Sequence, residues 1–367
     1  MIYLDNAATT KPNEEVIKIF AESMTNDFTN PSSLHEAGLA TSNKIEKARE
    51  TIASLLKVNS NEIFFTSGGT EANNIAINLA KGEIITTIAE HDSVLSPIER
   101  KKDKQKIHYV KLDKYAKVDE EDLKNLISEK TSLISIMHTN NEIGTINDIN
   151  KLGKIIKDKN PKVIFHVDCI AAFSKEDMNL QNVDVATFSS HKIHGPKGVG
   201  AIWAKNGKLV PINYGGSQEN KIRPGTQNTN GIIAFAKASE IAFSEKENNR
   251  KYVENLRKTF IQNLEVKYNL NSPDYNDSEN SSPYILNISF LGMKAQVLVN
   301  ALSSENIFVS TGAACSSREK RNTLKNLGLP NEISETAIRF SFSTENTIEE
   351  MKIVANKINE LSKILIV

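Results

Sequence analysis

The sequence predicts an α/β protein in which a mostly parallel sheet carries helices on both faces, joined to a smaller α+β domain. Three observations point to this. Short apolar runs alternate with helical patterns through the first two-thirds of the chain. Glycines and polar residues gather where those runs end. After residue 226 the alternation gives way to longer helical stretches and a few separate strands.

The strand candidates of the first part are "EIFFTS" (62–67), "EIITTI" (83–88), "KIHYVKL" (106–112), "SLISIMH" (132–138), "KVIFHVD" (162–168), "VDVATFS" (183–189) and "GAIWAK" (200–205). They are rich in β-branched and aromatic residues, and turn residues bound them. Helical patterns such as "TEANNIAINLAK" and "INDINKLGKIIKDK" fall between several of them. The second part predicts a long helical stretch (231–265) and a polar surface loop, "NSPDYNDSENSSP". A strand (284–291), a helix (294–305), strands at 307–311 and 337–343 and an amphipathic helix (347–366) follow. The expected division is a large domain over 16–245 and a small one made of 1–15 with 246–367.

Composition excludes some functions. Lys+Arg and Asp+Glu are both 45, so no net charge draws the chain to nucleic acid or an anionic membrane. The two cysteines, Cys169 and Cys315, form neither a disulfide framework nor a zinc spacing, which suits a reducing cytosol. The first residues lack a basic-then-apolar leader, and no apolar run reaches membrane-spanning length. The expectation is a cytoplasmic protein.

Ligands of open α/β sheets bind at the carboxyl ends of the strands. "FFTSGGTEANN" reads there as strand, glycine turn and helix start. Gly68 and Gly69 allow close backbone approach, and Thr70 with the free N–H groups suits a phosphate. The plain alternative is a helix cap on Thr70. Asp168 ends its strand and suits either a protonated ring nitrogen or the cap of a following helix. His91 follows another strand, and stacking on a flat ring competes with a surface position at a helix start. Lys192 lies between His191 and His194 in "SSHKIHGPKGVG". A lysine amine in a partly desolvated site has a lowered pKa and forms Schiff bases, whereas in an open turn it is merely solvated. Together, a phosphate-binding turn, a ring-pairing Asp, a His and such a Lys are what pyridoxal phosphate needs. Arg339 on a late strand suits bidentate capture of a carboxylate or an ordinary surface ion pair. Cys315, in "STGAACSSREKR", has Arg318, Lys320 and Arg321 nearby, which favours the thiolate over a buried thiol. Cys169, beside Asp168 on an apolar run, fits burial. The basic run "ERKKDKQK" reads as a solvated face.

The chain resembles the cysteine desulfurases of the NifS/IscS type, within the class V aminotransferase group of fold type I pyridoxal phosphate enzymes. The matching motifs are "YLDNAATT", "NPSSLHEAG", "FTSGGTEANN", "EHDSV", "SIMHTNNEIGT", "HVD", "SSHKIHGPKGVGA", "GGSQENKIRPGTQN", "STGAACSS" and "IRFSFS". The resemblance implies that Lys192 binds pyridoxal phosphate covalently, Asp168 pairs with its ring nitrogen and His91 stacks on the ring. It gives the phosphate to Gly69, Thr70, Ser189 and His191, with Thr226 reaching the site of a second subunit, and so implies a homodimer with shared sites. Asn141 touches the cofactor's phenolic oxygen, Asn30 and Arg339 hold the carboxylate of L-cysteine, and Cys315 accepts the sulfur as a persulfide. Alanine leaves, and an acceptor protein takes the sulfur. No metal is implied.

Three departures from the family pattern stand out. Ala171 occupies the place of a usual Gln three residues after the ring-pairing Asp. The loop after Cys315 is about two residues shorter than in typical long-loop members. The chain ends soon after "IRFSFST", without the tail of scaffold-binding members. Two other functions stay open. One is a different class V enzyme, a selenocysteine lyase or an aminotransferase, which would need no thiol at Cys315. The other is a catalytically impaired homologue acting as a binding protein, against which Lys192, Asp168 and Cys315 argue.

Overall fold

The computed structural model describes residues 1–311 and 323–365. Cys315, Arg318, Lys320 and Arg321 lie outside the described residues. Its strands are β1 (Ile2–Tyr3), β2 (Ile63–Thr66), β3 (Glu83–Thr86), β4 (Ile107–Tyr109), β5 (Thr131–Ser135), β6 (Ile164–Asp168), β7 (Val185–Ser189), β8 (Gly200–Ala204), β9 (Tyr268–Leu270), β10 (Ile285–Phe290), β11 (Ile307–Phe308) and β12 (Ala337–Ser341). The α-helices are α1 (Glu14–Asn26), α2 (Glu36–Leu56), α3 (Gly69–Asn78), α4 (Asp92–Glu99), α5 (Glu120–Leu126), α6 (Ile149–Lys159), α7 (Thr229–Ser244), α8 (Lys246–Gln262), α9 (Ala295–Ser304), α10 (Thr323–Asn326), α11 (Asn331–Ser334) and α12 (Ile348–Leu365).

A seven-stranded sheet runs in the order β2-β8-β7-β6-β5-β3-β4. All its pairings are parallel except those of β8, which runs against both β2 and β7. Every residue of β2, β7 and β8 is buried, as expected for strands covered on both faces. The register brings Thr66 and Ser189 both opposite Gly200, so the end of β2, the end of β7 and the start of β8 meet on one edge. β3, β5 and β6 run parallel to β7 and end on that same edge. An added Cβ at Gly200 would stand 2.6 Å from Phe188 O and 2.8 Å from Gly68 Cα, both backbone, so only glycine fits this junction.

One core cluster packs Ile45, Ile52, Phe65, Ile134, Phe165, Phe188, Trp203 and Phe235 under α1, α2 and α7. A second joins Leu4 to Phe260, Leu286, Phe290, Phe340 and Val354 around the three-stranded sheet β12-β10-β9. The N-terminus therefore packs with the C-terminal half. Asn6 secures it by donating to Ser341 O at 2.9 Å.

Four details differ from the sequence expectation. The 231–265 stretch is two helices, because the Glu245 amide closes α7 on Ile241 O before α8 begins. The expected strand at 307–311 pairs over two residues only. β9 and the helices α1 and α2 lack the strong signals on which the sequence reading relied. The polar segment 271–283 has buried ends, with Asn271, Ser272, Ser281 and Ser282 all at 3% exposure or less. Arg257, itself buried, explains this: its guanidinium donates to Ser281 Oγ at 3.0 Å, Ser282 O at 2.9 Å and Tyr275 O at 2.9 Å. Among the described residues, no helix is long and apolar enough to cross a membrane.

Candidate active site

The strand ends surround a cavity of about 290 Å³ whose walls include Gly69, Thr70, His91, Asn141, Asp168, Ala171, Ser189, His191, Lys192 and Arg339. Ten positions singled out in the sequence therefore meet in one space. Asn30 and Thr226 do not line it and are exposed. Asn30 Oδ1 accepts from Ser32 N at 2.9 Å.

Each side chain is set by its local fold. Gly68 precedes α3 with φ 148, a conformation that side chains disfavour, and turns Gly69 and the helix start toward the cavity. Gly68, not Thr70, is the N-cap, which corrects the capping alternative. Thr70 is exposed in the first turn. His91 caps α4, its Nδ1 accepting from Ser93 N at 3.1 Å, so the helix-start reading and the cavity position both hold. Asp168 ends β6, where Oδ1 accepts from Ile170 N at 2.9 Å and Oδ2 from Asn73 Nδ2 at 2.8 Å.

Asn73 links these groups. It is fully buried on α3 and spends both amide protons, one on Asp168 Oδ2 and one on Ser93 Oγ at 2.8 Å. Its Oδ1 accepts from Thr187 Oγ1 at 2.6 Å. Ser93 Oγ in turn lies 2.8 Å from His91 Nδ1. A continuous hydrogen-bonded path thus joins the strand-end histidine to the strand-end aspartate.

Lys192 follows β7 in a short 3₁₀ turn, and its Nζ donates to Ala8 O at 2.7 Å and to Ala7 O, both on the N-terminal segment. The turn closes through Gly195, whose missing Cβ would meet Ser190 Oγ at 2.0 Å, and Gly198 at φ 79. His191 is pushed down to a pKa of about 4, first by burial and then by Lys192, Lys197 and Lys175, so its ring is neutral at pH 7. Burial and the nearby Asp168 push the Cys169 thiol well above its usual pKa, and that cysteine is inert by the same physics.

Arg339 is 2% exposed and pairs with Asp5 Oδ1 at 2.6 Å while donating to Asn141 O at 3.0 Å. The surface-pair alternative is corrected to a buried pair, and any incoming carboxylate shares Arg339 with Asp5.

Sequence reasoning missed several cavity residues. Glu90 is 6% exposed; its Oε1 accepts from Met137 N at 2.9 Å and Thr87 Oγ1 at 3.0 Å. Burial, reinforced by the nearby Asp168, raises its pKa to about 8 and keeps it protonated at neutral pH. Burial also raises Glu142. Lys175 is a second lysine in the cavity, with Tyr284 beside it. The only available signals were the Glu–His pair at 90–91 and a charged residue in the turn after Asp168.

These residues also fit pyridoxal phosphate. Ser189 Oγ is buried on the cavity wall with no hydrogen-bond partner among the described residues, as an oxygen awaiting an anion would be. A Cβ at Gly69 would stand 2.1 Å from Ile170 Cδ1, so any side chain there would have to displace the end of Ile170 on the cavity wall. Asp168 is held as an acceptor at the same cavity, with an amine at Lys192.

Residues 2–354 match the family Aminotransferase class-V. A protein named cysteine desulfurase IscS from Clostridium botulinum (strain Hall) is 37% identical over 378 residues, covering 99% of this chain and 94% of that one. Another of that name, from Dictyoglomus turgidum, is 40% identical over 366 residues, covering 95% of this chain and 91% of its own. A solved structure named NifS-like protein superposes with a TM-score of 0.93 at 36% identity, covering 99% of this chain and 100% of that one.

Proposed function

We propose a site assignment from the premise that this chain belongs to the class V aminotransferase family. The protein is a pyridoxal phosphate-dependent cysteine desulfurase, and the observation that carries this is near-full-length similarity to relatives named for that activity. When bound, the cofactor supplies an electron-withdrawing ring that takes up the electrons released as the substrate's α-proton leaves.

The chain's own residues would act as follows. Lys192 holds the cofactor through its amine and moves the α-proton. Asp168, fixed by Ile170 N and Asn73, keeps a proton at the ring nitrogen. His91 covers the ring, and its Ser93 contact fixes the imidazole plane. Gly69, Thr70, Ser189 and the neutral His191 take the phosphate. Asn141 reaches the phenolic oxygen. Arg339 and Asn30 bind the carboxylate of L-cysteine. The Cys315 thiolate attacks the substrate's sulfur, the carbon–sulfur bond breaks, alanine departs and Cys315 keeps the sulfur as a persulfide. A sulfur-acceptor protein then takes it.

We also propose a homodimer. Thr226 lies outside the cavity and is exposed, so a phosphate contact from it needs a second copy. Phe28, Leu34 and Tyr214 are 78%, 90% and 89% exposed, which suits burial against that copy. The same reading places the large domain over 16–245 and the protein in the cytoplasm.

The test is turnover of L-cysteine by the loaded protein with 2-oxoglutarate supplied as amino acceptor, with alanine, sulfide and the keto acid formed from cysteine all quantified. Equal alanine and sulfide, with reductant present, support desulfuration. Keto acid without sulfide would identify an aminotransferase instead.

A further inference from the structure

Lys175 lines the cavity, yet the reaction above gives it no task. The residue before it, Ser174, is buried with φ 61, a left-handed conformation that costs a residue with a β-carbon. The residue after it, Glu176, is buried in an ion pair with Arg250. The backbone is thus held on both sides, and the Lys175 side chain enters the partition between two cavities. It lines the cavity described above and a smaller one of about 70 Å³, as do Tyr284 and Phe342.

Its Nζ stands 5.3 Å from the Tyr284 ring centroid, a cation–π contact. Among the described residues it has no hydrogen bond or ion pair. Burial lowers its pKa to about 8, against the pull of Glu176, so the amine is still mostly charged at neutral pH. Lys192, Lys197 and Lys175 all act on His191, which places three positive groups around one imidazole.

Burial outweighs Glu176 in setting the pKa of that cation. Around Lys175 stand Glu176 with its partner Arg250, the Tyr284 hydroxyl and His194, with Glu245 and Glu345 on the second cavity. Around Lys192 stand the neutral His191, Asp168, and Arg339 with its partner Asp5. His91, Asp92, Glu90 and Glu142 complete that wall, the last two with raised pKa values.

We propose that Lys175 is a positioning residue that sets the protonation of Lys192. Its ammonium, fixed against the Tyr284 ring, disfavours a second positive charge in the same cavity and keeps the Lys192 nitrogen available as nucleophile and base. The role rests on pyridoxal phosphate loading at Lys192. A lysine that merely reaches through the second cavity toward Glu245 and Glu345 would leave Lys192 untouched.

The test is a pH titration of the visible absorption band of the loaded, substrate-free protein. Removing a nearby cation raises the pKa of a group that becomes positive on protonation. Lys175→Met and Lys175→Gln should each move the midpoint up by about one pH unit. Lys175→Arg, which keeps its charge, should leave the midpoint at or below that of the wild type. In the cofactor-free chain, the His191 imidazole followed by NMR should titrate higher in Lys175→Met. An unchanged visible midpoint in both neutral variants overturns the role, as does a Lys175→Arg midpoint that rises like theirs. If the wild type takes up no pyridoxal phosphate, the functional reading fails instead. The His191 titration then decides the electrostatic claim, and an unmoved His191 overturns it.

Discussion

Replacing Asn73 by Asp changes almost no volume but turns an amide that donates twice into a carboxylate that cannot. Asp168 Oδ2, now 2.8 Å from Asn73 Nδ2, would face a second anion at that distance. Two carboxylates so close do not both ionise, so one retains a proton at neutral pH. That proton bridges the two carboxyls, so the cost is the free energy of holding it as pH rises together with the weakened Ser93 bond, about 3 kcal/mol at pH 8. The pair's folded pKa lies above the unfolded value of about 3.9. Between the two the folded state binds more protons, so stability is retained below the unfolded pKa and lost as pH rises toward the folded one. Urea denaturation of wild type, Asn73→Asp and Asn73→Ala at pH 5 and pH 8 reads this directly. The Asn73→Asp deficit should be larger at pH 8, while that of Asn73→Ala should not depend on pH. A deficit for Asn73→Asp that is equal at both pH values, or below about 1 kcal/mol, would refute the coupling of Asn73 to Asp168.

Four further outcomes are expected. Cys315→Ser should keep the cofactor spectrum and bind L-cysteine but form no persulfide by mass spectrometry, while Cys169→Ser should retain most activity. Arg339→Ala should weaken L-cysteine binding by roughly a hundredfold, the effect of losing a charged contact worth about 2–3 kcal/mol, with normal cofactor content; an unchanged KM would remove Arg339 from the substrate site. Ala171→Gln places an amide donor on the cavity wall and should tighten pyridoxal phosphate binding by about 1 kcal/mol in equilibrium titration; no change means that an ordered water already donates there. Glu90 has a folded pKa near 8, well above the unfolded value, so ionising it destabilises the fold as pH rises between the two. Glu90→Gln should therefore gain stability relative to wild type as pH rises from about 5 to 8, by roughly 3 kcal/mol in denaturation, and a gap that stays flat would contradict the buried neutral acid.

The strands and the order of their terminal residues were legible because both are local. Apolar runs bounded by turn residues locate β2, β3, β5, β6 and β7, and Gly69, His91, Asp168 and Lys192 follow or end those runs. Long-range pairing was not legible. Arg339 and Asp5 are 334 positions apart, and no local pattern tells that one neutralises the other. Asn73 sits inside a helix, where a polar residue ordinarily faces water; only the packing of α3 on β6 and β7 turns its amide inward. Lys175 escaped notice because its direction depends on the left-handed Ser174, which side-chain chemistry does not announce. The antiparallel run of β8 was hidden because a buried strand reads the same in either direction.

Reducing the loaded, substrate-free protein with borohydride and mapping the pyridoxyl group by peptide mass spectrometry identifies the lysine that carries the cofactor. Among the described residues the cavity offers two lysines, so the result discriminates. The label is expected on Lys192 in the wild type and should be lost from that peptide in Lys192→Ala. A label on Lys175 or on any other lysine of the wild type would contradict that assignment.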